Sequence, residues 1–106
     1  MIINVYSTLR DIIGTKSIVL DFPNGETINQ IIQKLVEVYP EIHQDLLDDN
    51  NMIYGHIHIF VDGYNVTLIK NKSETIPNES MLDVFHAIGG GKHIVKYIPN
   101  QKQSSI

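Results

Sequence analysis

Thr27-Ile28-Asn29-Gln30-Ile31-Ile32-Gln33-Lys34-Leu35-Val36-Glu37-Val38-Tyr39-Pro40 is the most regular passage of this 106-residue chain. Ile28, Ile31, Ile32, Leu35 and Val36 recur at i, i+3, i+4, i+7 and i+8, which puts them in one apolar stripe of an α-helix. Glu26 or Thr27 can cap its start, and Pro40 marks its end. The β-branched residues weaken the segment as an isolated helix, so its stripe must be buried against another layer. The flanking sequence supplies only strands, and those strands are the expected partner.

Upstream, residues 2–8 alternate in the manner of a strand and residues 9–14 read as a turn. Residues 16–22 form a second β-rich run with Ile18, Leu20 and Phe22 on one face. Two such runs with a short link predict a hairpin. Pro23-Asn24-Gly25 closes the second run with turn residues. Downstream, residues 40–47 predict a short second helix and residues 48–51 a polar loop. Residues 56–61 alternate as a strand that ends at the turn pair Asp62-Gly63. Residues 66–69 suit a short edge strand, residues 70–80 a polar loop, and residues 81–88 a last strand. The order β-β-α-β-(β)-β, with one helix laid on a mixed sheet, is an α+β architecture.

The length suits one compact domain. The formal charge of -4 argues against non-specific nucleic-acid binding. There is no cysteine, which excludes disulfides, thiolate metal sites and a cysteine nucleophile. The start of the chain lacks the pattern of a signal peptide, and no apolar run approaches the ~20 residues of a membrane span. A cytoplasmic protein without a membrane or nucleic-acid partner is the expectation.

Charge divides the chain unevenly. Residues 1–91 hold five cations and twelve anions, a net of -7, whereas Lys92, Lys96 and Lys102 make the remainder basic. The division falls at Gly89-Gly90-Gly91. Beyond it, residues 94–98 suit a short strand, and residues 100–106 have the composition of a disordered segment.

Four passages together resemble the ubiquitin-like family of MoaD/ThiS-like sulfur carriers. That family includes the small subunit of molybdopterin synthase, the thiamine sulfur carrier and related small modifiers. Residues 5–14, with Leu9-Arg10 and Gly14, are similar to its first strand and loop. Residues 26–40 are similar to its helix, with an acidic-hydroxyl start and a Tyr-Pro end. Ile57-His58-Ile59-Phe60-Val61-Asp62-Gly63 matches its strand of alternating apolar residues followed by Asn or Asp and Gly. Met81-Leu82-Asp83-Val84-Phe85-His86-Ala87-Ile88-Gly89-Gly90-Gly91 matches its last strand and terminal Gly-Gly. Two departures stand out. Family members carry a proline where this chain has His86 and Ala87, and they end at Gly-Gly, whereas fifteen residues follow Gly91 here.

The resemblance implies a β-grasp fold with four or five strands and one main helix. The expected domain is residues 1–91, with residues 92–106 a removable or flexible extension. The protein is expected to be a carrier rather than an enzyme, without a bound cofactor or metal. A partner adenylating (E1-like) enzyme would use ATP to activate the C-terminal carboxylate, and a sulfur donor would convert it to a thiocarboxylate. The recipient could be molybdopterin, thiamine or tRNA. The activated, threaded arm is assigned to Gly89, Gly90 and Gly91, and partner contact to Phe60, Phe85 and Ile88. A molybdopterin synthase large subunit and a processing protease are further expected partners. Two alternatives stay open: a modifier joined to target lysines, and a ubiquitin-like binding module that keeps its tail.

Other polar groups have plainer readings. His56 and His58 share a strand face, but no third ligand is evident, and His43, His86 and His93 are scattered. Asp48-Asp49-Asn50 lacks the glycine and closing glutamate of a calcium loop and reads as a solvated turn. Arg10 reads as a surface cation. A glycine triplet taken alone is most simply a hinge.

Overall fold

The computed structural model describes residues 1–66 and 74–86. Strands β1 (Ile2–Val5), β2 (Ser17–Val19), β3 (Ile57–Val61), β4 (Tyr64–Asn65) and β5 (Met81–His86) form one sheet in the order β2-β1-β5-β3-β4. The β1/β5 pair is parallel, with Ile3 opposite Leu82 and Val5 opposite Val84. The other pairs are antiparallel. The hairpin of β1 and β2 is present as expected, and β5 is the central strand.

Helix α2 (Ile28–Val38) lies on one face of this sheet. Thr27 caps it: its Oγ1 accepts the Gln30 N–H at 3.3 Å. Glu26 Oε1 accepts the Thr27 N–H at 3.0 Å, so the acidic neighbour supports the cap without being it. The Tyr39 N–H reaches Leu35 O at 2.9 Å, and Pro40 has no N–H to continue the series. Ile31, Ile32, Leu35 and Val36 are buried against Ile3, Val5, Ile57, Ile59, Leu82 and Val84. Each such side chain contributes about 1.5–3 kcal/mol of apolar burial. Ile28, at the helix start, is only partly buried. A 3₁₀ turn (Pro40–Ile42) and a short helix α3 (His43–Leu46) follow, and they bury Ile42 and Leu46 at the end of the same core.

Two expectations need revision. Residues 9–14 are not a simple turn, because Ser7–Ile13 form helix α1. Gly14 ends it in the left-handed region at φ 88, its N–H bonded to Arg10 O at 2.8 Å. Leu9 is fully buried, with Ile12 and Ile13 packed at the core margin. A short strand not expected from the sequence lies at Tyr64–Asn65, directly after the Asp62-Gly63 turn; of the edge strand expected at 66–69, residues 67–69 lie outside the described residues. The second strand is confined to Ser17–Val19. Of the last strand, Met81–His86 is observed, and residues 87 and 88 lie outside the described residues, as do residues 94–98.

The 74–80 connection is tied down at two points. Glu26 and Ile76 exchange backbone hydrogen bonds of 3.0 and 2.8 Å. Asn78 accepts the Phe22 N–H at 2.9 Å and donates to Asp21 at 3.0 Å.

Candidate functional site

Because α2 covers one face of the sheet, the side chains that alternate away from it form a second face. Register places these side chains in three cross-sheet rows. The first is Val19, Ile2 and Met81. The second is Ser17, Asn4, Asp83 and Phe60. The third has Phe85 opposite His58, with the Tyr6 ring stacked on Phe85.

The middle row is a polar chain. Ser17 Oγ donates to Asn4 Oδ1 at 2.6 Å, and Asn4 Nδ2 donates to Asp83 Oδ1 at 3.1 Å. Tyr6 Oη donates to the same Asp83 oxygen at 2.8 Å. Asp83 is buried, so these bonds replace the hydration it gives up.

The third row is aromatic. The Tyr6 and Phe85 rings stack with centroids 4.4 Å apart, and Phe60 meets Phe85 edge-on at 5.6 Å. Arg10 lies over the other ring of the stack, 5.3 Å from the Tyr6 centroid, and its Nε donates to Val5 O at 3.2 Å. Arg10 is thus a built-in part of this face rather than a free surface cation. Phe60 and Phe85, the two described residues expected to meet a partner, are 4% and 1% exposed. In the first row of this face Val19 is 74%, Ile2 42% and Met81 42% exposed.

The root of the C-terminal arm is the end of β5. Ile88 and Gly89-Gly90-Gly91 lie outside the described residues; the described chain stops at His86. That imidazole is buried and pairs across the sheet with Ile57. Its Nδ1 has no hydrogen-bond partner. Burial holds its pKa below the ordinary histidine value, and the neighbouring His56 lowers it further. The charge of Asp45 and a backbone hydrogen bond there oppose the shift. The His56 ring meets His86 edge-on at 4.9 Å and stacks on Tyr54 at 4.9 Å. Sequence spacing had linked His56 with His58; tertiary structure instead brings it to His86. Among the described residues no cluster of three His, Cys, Asp or Glu side chains could hold a metal.

The model of the ThiS family matches residues 3–91, which includes all of the described residues but the first two and ends on the last glycine of the triplet. The chain belongs to the ThiS family. Solved structures agree on the fold. SAMP1 from Haloferax volcanii superposes with a TM-score of 0.74 at 20% identity, covering 86% of this chain and 98% of that one. The Amycolatopsis orientalis BexX/CysO complex contains a chain that matches with a TM-score of 0.66 at 20% identity, covering 85% of this chain and 98% of its own. Urm1 of Sulfolobus solfataricus gives a TM-score of 0.60 at 15% identity, with coverage of 81% and 99%. No curated protein matches this ThiS-family chain significantly. The β-grasp fold is therefore shared, while the chemistry at the glycine triplet is a matter of function. No helix among the described residues is long and apolar enough to cross a membrane.

Proposed function

We propose that this protein is a carrier whose reactive group is its own C-terminal carboxylate, released by cleavage after Gly91. The observation that carries the proposal is the family match, which ends at Gly91, together with the sequence position of Gly89-Gly90-Gly91 shortly after the central strand β5, which ends at His86.

The chemistry sets strict conditions. Gly91 is joined to Lys92 by an amide, which has no free carboxylate to activate. Hydrolysis of that bond gives the Gly91 carboxylate and the free amine of Lys92. A carboxylate oxygen then attacks the α-phosphorus of ATP in a partner adenylating enzyme, expelling pyrophosphate and forming an acyl-adenylate. Sulfide-level sulfur from a donor attacks the acyl carbon and displaces AMP, leaving a thiocarboxylate. Glycine suits such an arm because it is thin and tolerates backbone angles that other residues resist. The folded body supplies no catalytic group and acts as the handle that partners grip, in the cytoplasm. Residues 92–106 are the segment removed, and cleavage after Gly90 is the neighbouring alternative.

The likeness to SAMP1, which is named as a modifier, favours a second reading at the same carbonyl: attack by a lysine amine in place of sulfide, forming an amide with a target protein. The experiment is the intact mass of the protein recovered from its native cell. A species ending at Gly91 with sulfur in place of one carboxyl oxygen supports the carrier, and one joined to lysine the modifier. Only full-length protein ending at Ile106, under every growth condition, would refute both and leave a binding module.

A further inference from the structure

His86 ends β5 with an imidazole that is 4% exposed. Among the described residues its Nδ1 has no hydrogen-bond partner. The backbone hydrogen bond at Asp45 therefore falls to Nε2, which carries the proton and donates to the Asp45 carbonyl. The neutral ring is held at one nitrogen and bare at the other. Buried acceptors without a donor are uncommon in folded domains. This one marks a pocket that tolerates an uncharged ring but offers no acceptor for a second N–H.

Two ionisable groups bear on the ring. His56, just before β3, meets it edge-on at 4.9 Å, and a charged His56 repels a second imidazolium. Asp45, in α3, favours the cation, but burial and His56 outweigh it, and the pKa of His86 lies below the ordinary value. The neighbouring groups are turned elsewhere: His43 of α3 contacts Asn51 at 3.3 Å, Tyr54 stacks on His56, and His58 lies opposite Phe85 on the second face of the sheet. One residue back, the strand is held quite differently. Phe85 is stacked on Tyr6 at 4.4 Å and meets Phe60 edge-on at 5.6 Å, and Asp83 accepts from Asn4 and Tyr6. None of those contacts involves a histidine. Charge on the His86 ring therefore strains the last residue of β5 and leaves the anchor at Phe85 alone.

We infer that His86 is an acid-released latch: neutral, its imidazole pins the end of β5 between His56 and α3, and protonated, it leaves that pocket while Phe85 stays packed on Tyr6 and Phe60. In solvent both ring nitrogens donate to water, which the pocket does not allow. The proton comes from solvent and returns to it, so the latch closes again as pH rises. The released ring has the ordinary histidine value of about 6.5 and the packed ring a lower one, so release begins as pH falls below about 6.5. The ratio of released to packed forms then rises by at most about tenfold per pH unit, the limit for one proton. On the carrier reading, release adds one residue, about 3.4 Å, to the reach of the arm. That consequence rests on the carrier reading; the latch itself does not.

The test is nuclear magnetic resonance of the full-length chain between about pH 8 and about pH 5. Long-range proton–nitrogen spectra give the tautomer and titration of His86, and cross-relaxation gives its ring contacts. The expected result is the Nε2–H tautomer at the upper pH, with contacts from the ring to Ile57 and His56 that fade on acidification while the Tyr6–Phe85 contact persists. Ring contacts undiminished at the lower pH overturn the inference, whether or not His86 has titrated. Loss of the Tyr6–Phe85 contact in the same step also overturns it, because the whole fold is then opening. His56 is exposed, so His56→Gln removes the repelling imidazole without touching the core. The packed pKa of His86 then moves back towards its ordinary value, and release, read at Ile57, should shrink. Release unchanged in that variant overturns the role given to His56. Neither measurement involves cleavage, ATP or sulfur, so the latch can fail while the carrier reading stands, and the reverse.

Discussion

Replacing Gly25 with alanine tests how the sheet-to-helix corner is held. Gly25 has φ 75, in the left-handed region. A Cβ added there would sit 2.6 Å from the Ile76 carbonyl oxygen and 2.7 Å from Thr75 Cγ2. The threonine methyl can turn away. The carbonyl cannot do so freely, because it accepts the Glu26 N–H at 3.0 Å, in a bridge completed by Ile76 N–H to Glu26 O at 2.8 Å. The left-handed backbone alone costs an alanine about 1–2 kcal/mol. Displacing the carbonyl endangers two hydrogen bonds worth about 0.5–1.5 kcal/mol each. The expected loss is therefore about 2–5 kcal/mol, a large share of the ~5–15 kcal/mol typical of a whole domain. Gly14 is the matched control: its φ is 88, but a Cβ there would meet nothing within 4 Å. Gly14→Ala should show only the backbone part, about 1–2 kcal/mol. Urea unfolding of both variants gives the comparison, read as a shift in midpoint at constant m. Equal losses at the two positions would refute the close approach of Gly25 to Ile76.

Ile32→Ala should lose about 2–5 kcal/mol in the same urea assay, because Ile32 is wholly buried in the core, and should leave the position of the proposed cleavage, read by intact mass, unchanged. A selective change in processing, with stability intact, would contradict its assignment to the core. His86 predicts a pH dependence. Its folded pKa lies below the unfolded value of 6.5, so between the two the unfolded chain binds more protons. Its contribution is complete above pH 6.5 and is lost as pH falls from there through the lower, folded value. His86→Gln should therefore flatten part of the fall in urea midpoint between about pH 8 and pH 5; an unchanged slope would show that His86 is not the group responsible.

Helix α2 was legible because its information is local. Five apolar residues at helical spacing, a threonine cap and a following proline specify start, face and end without reference to the rest of the chain. Helix α1 carried similar signals, with Leu9, Ile12 and Ile13 at i, i+3 and i+4 and Gly14 just beyond. In seven residues these were too brief to outweigh a turn reading. The strand Tyr64–Asn65 escaped the sequence reading for a related cause. At β4 only two residues pair with β3, so alternation had almost nothing to register.

The candidate site was legible only in part. The glycine triplet stands out in the sequence, as does the change of charge beyond it. The surface beside it does not. Nothing in the order of residues shows that the Phe60 and Phe85 rings meet each other or that Tyr6 stacks on Phe85. His86 likewise reads as one of several scattered histidines until the fold sets it beside His56 and Asp45.

By itself, then, the sequence determined the elements whose periodicity is complete within a few turns or residues, the acidic body with its basic extension, and the family. Only the tertiary structure decided that β1 and β5 lie parallel at the centre, that Gly25 abuts Ile76, and that three rows of distinct chemistry cross the second face of the sheet. The physical reason is sequence separation. Helical and strand periods are written into neighbouring residues, whereas a row such as Val19, Ile2 and Met81 exists only after long-range hydrogen bonds have fixed the register of three strands.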